Sequence, residues 1–179
     1  MISTAPRTRP TQPLRDEHLE LLPRIHALAD VASMVGDAPD PDVRAAVDAA
    51  RSFLAFELVP HALAEEAALY PAVETAMSAP GATDTMRREH LEIRRFVEDL
   101  ETARDALSWG PSSPSTDREL RRVLYGLLAL VHGHFAKEEE LYLEILDARL
   151  DDTAATELFE RLEAAARQAR VAIAAPRAN

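Results

Sequence analysis

Val131-His132-Gly133-His134-Phe135-Ala136-Lys137-Glu138-Glu139-Glu140-Leu141 is the stretch on which the fold turns. Around it Leu120, Leu124, Leu127, Val131, His134, Glu138, Leu141, Ile145 and Ala148 step alternately by four and three. That rhythm is the buried seam of a bundled helix. Two of these seam positions carry a histidine and a glutamate where leucine would be the stable choice. A polar group left without partners in a core costs roughly 2–7 kcal/mol. The remainder of the chain must therefore supply something to satisfy His134 and Glu138.

Working outward, three more helices show the same rhythm. The first is expected over residues 14–35, with seam Leu14, His18, Leu21, Ile25, Leu28, Ala32 and Val35. His18 is its single polar member, His26 lies off the seam, and Pro23 should kink the span. A turn at residues 36–41, with Asp40 as N-cap and Pro41 at the first helical position, leads into a helix reaching Met77. Its seam runs through Val43, Val47, Ala50 and Leu54, slips near Leu58, and resumes at His61, Glu65, Ala68 and Ala72. A third helix, residues 83–107, carries Met86, His90, Ile93, Val97 and Leu100. After a loop at residues 109–115, a capping box Thr116-Asp117-Arg118-Glu119 opens the helix that holds the first stretch. A fifth, alanine-rich helix starts at Asp151 and has Leu158, Leu162, Ala165 and Ala169 as its stripe. It docks either on its own bundle or on a second subunit in a homodimer.

The expected fold is all-α, an up-down-up-down four-helix bundle with an additional C-terminal helix. Residues 1–13 read as a disordered tail, 14–150 as the bundle and 151–175 as the added helix. Low aromatic content (5%) with 47% apolar residues fits packed helices better than sheet. A net charge of −11 argues against nucleic acid or an anionic membrane surface as partner. The absence of cysteine removes disulfides, thiolate metal sites and cysteine nucleophiles, in keeping with a cytoplasmic protein. No signal peptide, membrane span, phosphate loop or nucleophile elbow is present.

Antiparallel neighbours at equal distances from their shared turn lie level with one another. On that count His18 pairs with His61, and His90 with His134. His61 with Glu65 and His134 with Glu138 are each spaced i, i+4, so each pair shares a helix face. Four imidazoles and two carboxylates thus converge in an apolar interior. Such a set suits iron, manganese or zinc, and six donors exceed what one four-coordinate zinc needs. They suit two metals bridged by both carboxylates.

Asp16-Glu17-His18, His61-Ala62-Leu63-Ala64-Glu65-Glu66 with Leu69-Tyr70-Pro71, Arg88-Glu89-His90, and His134-Phe135-Ala136-Lys137-Glu138-Glu139 together resemble the hemerythrin-like (HHE cation-binding) family. The resemblance implies two iron ions, bridged by Glu65, Glu138 and an oxo or hydroxo group. By the same analogy His18 and His61 hold one iron, and His90 and His134 the other. Oxygen-carrying members have a second histidine one turn after the third-helix ligand, where this chain has Arg94. A water, Glu66, Glu139 or Tyr70 could fill that place, or it could stay open. The implied ligands are O2, peroxide or nitric oxide. The chain could bind them, turn peroxide over as an enzyme, or sense oxygen, redox state or iron without turnover. Glu66, Glu139 and the arginines 87, 88, 94 and 95 read as solvated, His132 as pointing away, and Tyr70 and Tyr142 as candidate donors to a carboxylate.

Overall fold

The computed structural model describes residues 9–38, 40–107 and 112–175. Among them the chain forms five helical rods and no strand: α1 (Gln12–Met34), α2 (residues 40–77), α3 (Asp84–Ala106), α4 (residues 114–149) and α5 (Asp152–Ala174). Packing runs α1 on α2, α2 on α3, α3 on α4 and α4 back on α1, the closed ring of an antiparallel four-helix bundle. Its turns are built as the local chemistry requires. Gly36 and Gly81 both sit at φ +81°, and Ser78 ends α2 in the left-handed region. No described helix is long and apolar enough to cross a membrane.

Proline does not end the rods. α1 stays helical through Pro23. In α2 the slip near Leu58 is a π turn, Leu54–Leu58, closed by Val59 N–H on the Leu54 carbonyl. A second π turn, Glu65–Leu69, is closed by Tyr70 N–H on the Glu65 carbonyl. Pro60 and Pro71 each follow one of these widened turns by two residues. The wider turn makes room for a ring that would otherwise crowd the carbonyl four residues back. A third π turn, Glu138–Tyr142, lies in α4.

These insertions correct the expected seams. Past Glu138 the buried residues are Tyr142, Leu143 and Leu146, while Leu141 is half exposed. Past Glu65 they are Ala68, Leu69, Tyr70 and Val73 rather than Ala72. Each π turn adds one residue and so rotates everything after it by about 100°. Three boundaries also move. The cap of α4 is Ser113, whose Oγ accepts from Thr116 N–H at 3.2 Å, so the box at Thr116 is one turn late. Asp40 is already helical. The end of the expected tail is structured: Thr11 is buried with its N–H and hydroxyl both on Asp147 at 2.8 Å, and α1 starts at Gln12. Residues 1–8 and 108–111 lie outside those described.

Asp151 caps α5 through Ala154 N–H at 2.8 Å. The helix lies along α2 of its own chain, with Leu158 and Leu162 buried beside Leu14, Leu69 and Val73. The apolar core is in two parts. One, toward the 1–2 and 3–4 turns, includes Leu28, Leu54, Leu100 and Leu124. The other, toward the 2–3 turn, includes Tyr70, Met86 and Leu143 together with the α5 leucines. Between them along all four rods lies one polar layer.

Candidate metal centre

That layer holds His18, His61, Glu65, His90, His134 and Glu138, each at most 3% exposed. The structure brings all six predicted residues together. The His18 and His61 rings are 5.2 Å apart and the His90 and His134 rings 4.5 Å apart. Glu65 Oε1 lies 3.1 Å from His61 Nε2 and 3.6 Å from His18 Nε2, while its Oε2 lies 3.4 Å from His90 Nε2. Glu138 Oε2 lies 3.5 Å from His18 Nε2, and its Oε1 lies 3.4 Å from His134 Nε2. Each carboxylate therefore turns one oxygen toward each histidine pair. Within the layer, His90, His134, Glu65 and Glu138 form one group able to hold a cation, and His18, His61 and Glu65 another.

The outward edge of each ring is also fixed. Glu17 of α1 faces His61 Nδ1 at 3.2 Å, and Glu66 of α2 faces His90 Nδ1 at 3.1 Å. Glu89 of α3 faces His134 Nδ1 at 2.9 Å, and Glu139 of α4 faces His18 Nδ1 at 2.8 Å. An ionised carboxylate only accepts, so each Nδ1 carries a hydrogen, and in the neutral, metal-binding form of the ring Nε2 is left to turn its lone pair to the centre. The four acids run around the bundle in one direction, each reaching the next helix. One residue along a helix turns by 100°. A step back on the parallel pair α1 and α3 and a step forward on α2 and α4 rotate in the same sense, and this makes the ring close.

The sequence reading gives none of these acids the role of holding a ring edge. Glu66 and Glu139 are partly exposed, as expected of flanking residues, but they clasp histidines rather than only facing solvent. Glu17 and Glu89 went unnoticed, although an acid directly before His18 and before His90, and directly after Glu65 and Glu138, was the available signal. Arg88 and Arg95 are exposed as expected, whereas Arg87 and Arg94 are drawn in. Arg94 Nη1 holds Glu66 at 2.9 Å, and the Arg87 guanidinium lies 5.3 Å over the Tyr70 ring. Arg15 holds Glu139 at 2.5 Å, and Lys137 pairs with Glu89.

Of the side chains named for the place left by Arg94, Tyr70 is the one whose polar atom lies inside the layer. Its buried hydroxyl donates to Glu138 Oε1 at 2.9 Å and lies 3.0 Å from His90 Nε2 and 3.2 Å from His134 Nε2. Tyr142 instead donates to the Ala82 carbonyl at 3.3 Å. His26 and His132 are exposed and face each other with ring centroids 5.7 Å apart, outside the layer.

Electrostatics tie the layer together. Burial would push Glu65 up, but the surrounding histidines, His61 foremost, hold it well below the usual carboxylate range. Burial would likewise depress His18, His61 and His90, yet their carboxylates outweigh it and all three are raised, His90 to about 9. Burial and the nearby Glu65 and Glu138 push Tyr70 up.

A metal fits this donor set. His18 Nε2, His61 Nε2, both oxygens of Glu65 and Glu138 Oε2 are buried with no hydrogen-bond partner. His90 Nε2 and His134 Nε2 lie 2.9 Å apart with converging lone pairs, an arrangement that needs a cation or a proton to hold it. The family model of the hemerythrin HHE cation-binding domain matches residues 9–146, and again residues 81–175. The chain belongs to that family. No curated protein and no solved structure matches it significantly. The second match of the HHE model begins before α3 and runs through α5, in keeping with an internal echo. Glu89-His90 and His134-x-x-x-Glu138-Glu139 repeat the pattern of Glu17-His18 and His61-x-x-x-Glu65-Glu66.

Proposed function

We propose that this chain is a non-haem di-iron protein that binds or reacts with O2, peroxide or nitric oxide. His18 and His61 would hold one iron, His90, His134 and Tyr70 the other, with Glu65 and Glu138 shared between them. The observation that carries the reading is the division of each carboxylate, one oxygen toward each histidine pair, at buried atoms that otherwise lack partners. Iron bound there would supply a redox-active Lewis acid. The protein's own contribution is orientation: four carboxylates fix the imidazoles with Nε2 inward, and the two apolar cores keep bulk water from the layer. Manganese or zinc could occupy the same donors, but the phenol of Tyr70 among nitrogen and carboxylate ligands favours a hard, redox-capable ion.

The test is metal analysis of protein purified without chelator, with absorption spectra before and after peroxide. Two irons per chain and near-ultraviolet charge-transfer bands are expected; a stoichiometric zinc content with a featureless spectrum would remove the reading. An enzymatic variant of the reading has its own support. The position in α4 corresponding to Tyr70 is Leu143, so the His18–His61 half has one protein donor fewer, which would leave a coordination place for a ligand. Turnover of hydrogen peroxide by the iron-loaded protein, lost in His61→Ala, would establish it; ligand-dependent helix ordering without turnover would favour sensing.

A further inference from the structure

Two histidines remain outside the polar layer, and the packing of α1 on α4 brings them together. Near the start of α1, Thr11 meets Asp147 of α4. Fifteen residues forward from Thr11 lies His26, and fifteen back from Asp147 lies His132. Antiparallel rods advance equally, so the two positions lie about level. Their rings face each other across the helix junction, with centroids 5.7 Å apart and planes tilted by 31°. Both rings are exposed, and among the described residues neither has a hydrogen bond or an ion pair. The buried imidazoles of His18, His61, His90 and His134 each have a carboxylate at Nδ1. His26 and His132 have only each other.

Paired imidazoles are ligands for late divalent transition ions. With metal–nitrogen bonds of about 2.0–2.1 Å, two imidazoles on one tetrahedral ion have ring centres roughly 5 Å apart. At 5.7 Å, His26 and His132 are a small side-chain rotation from that arrangement. Both sit inside helices, α1 and α4, so their backbones are fixed before an ion arrives. Asp30, one turn along α1 from His26, is exposed and has no ion pair among the described residues, which adds negative charge beside the pair. We propose that His26 and His132 form a second cation site, on the surface, taking one divalent ion of the zinc, copper or nickel class between α1 and α4. Water or Asp30 completes the coordination. Magnesium and calcium do not compete, because they take oxygen ligands. The site is separate from the buried centre and stands whichever metal fills that layer.

Zinc is the probe, dialysed to equilibrium against the untagged full chain after iron loading, in excess magnesium, with iron and zinc per chain measured on the same samples. The wild type should hold one zinc more than His26→Ala and one more than His132→Ala. Both positions are exposed, so the variants keep their fold, and circular dichroism checks their helix content. Because the count is a difference between chains, zinc that enters the buried layer cancels from it. Loss in both variants is the mark of an ion shared by the two rings. Equal zinc in the wild type and in either variant would overturn the proposal, since that ring would then hold no ion. No difference in chains that all retain two irons counts against this site alone. A difference of one zinc in protein that takes up no iron would leave the surface site standing and sink the di-iron reading.

Discussion

The two halves of the polar layer repeat one pattern and end differently. His18 and His61 are 43 residues apart and His90 and His134 44 apart, each second histidine followed by a glutamate four residues on and a π turn at that glutamate. In the His90–His134 half the turn delivers Tyr70, whose hydroxyl reaches both imidazoles and Glu138. In the other half the same register gives Leu143, and the Nε2 atoms of His18 and His61 stay without partners. The outer edges differ in the same direction, since both acids of the Tyr70 half are braced by cations and Glu17 is not. One half carries a phenol and two braced outer acids; the other has a leucine in place of the phenol and one outer acid with no cation beside it among the described residues. A duplicated scaffold becomes chemically asymmetric through one aromatic and one missing cation.

The comparison breaks most severely if the carboxylates are not shared. Glu138→Ala should cost metal in both halves together, dropping the content from two ions per chain to below one; a variant that keeps two would refute the shared role. A further expectation concerns the metal-free protein, where protons replace cations. His18, His61 and His90 have raised folded values, so their contribution is complete below the unfolded value of about 6.5 and is lost as pH rises through the folded one, about 9 for His90. Denaturant titrations should show the metal-free chain less stable at alkaline pH, by roughly 3 kcal/mol from His90 alone. The loaded protein should follow the opposite trend, because metal binding requires neutral histidine. Stability of the metal-free chain that holds or rises over this range would contradict the pairing.

Tyr70→Phe sharpens the contrast between halves. It should weaken one metal equivalent about 10- to 100-fold and leave the other, with loss of any visible phenolate-to-iron band. Equal weakening of both ions would mean that the phenol acts on the whole layer and not on one half. Arg94→Ala is the mildest case. The Arg94–Glu66 pair is about a quarter to a third exposed, so it is worth at most about 1 kcal/mol. A shift in the affinity of the Tyr70 half alone, read by competition with a chelator, would place Arg94 as a brace for His90.

Much of this was legible in the chain. Seam periodicity located four rods and found their odd polar members, since a histidine in a leucine seam is visible without coordinates. Tyr70 was visible only as a candidate, because its reach depends on the extra residue of the π turn at Glu65. Leu141 and Ile145 were assigned to the seam for the same reason: strict four-three spacing does not anticipate a turn that holds one residue more. Glu17 and Glu89 escaped because they lie on the flank of a helix, and flank acids are common where nothing faces them.

By itself, then, the sequence determined the all-α bundle and the depth of its six ionisable core residues, through hydrophobic periodicity, a property of single helices. Tertiary structure alone decided which acid clasps which imidazole, that Tyr70 rather than Glu66 enters the centre, and that α5 walls a cleft at the Glu17 edge. Those contacts join residues on different rods. They depend on the closed packing order of the bundle and on rotations of about 100° introduced by single inserted residues, which no local pattern records.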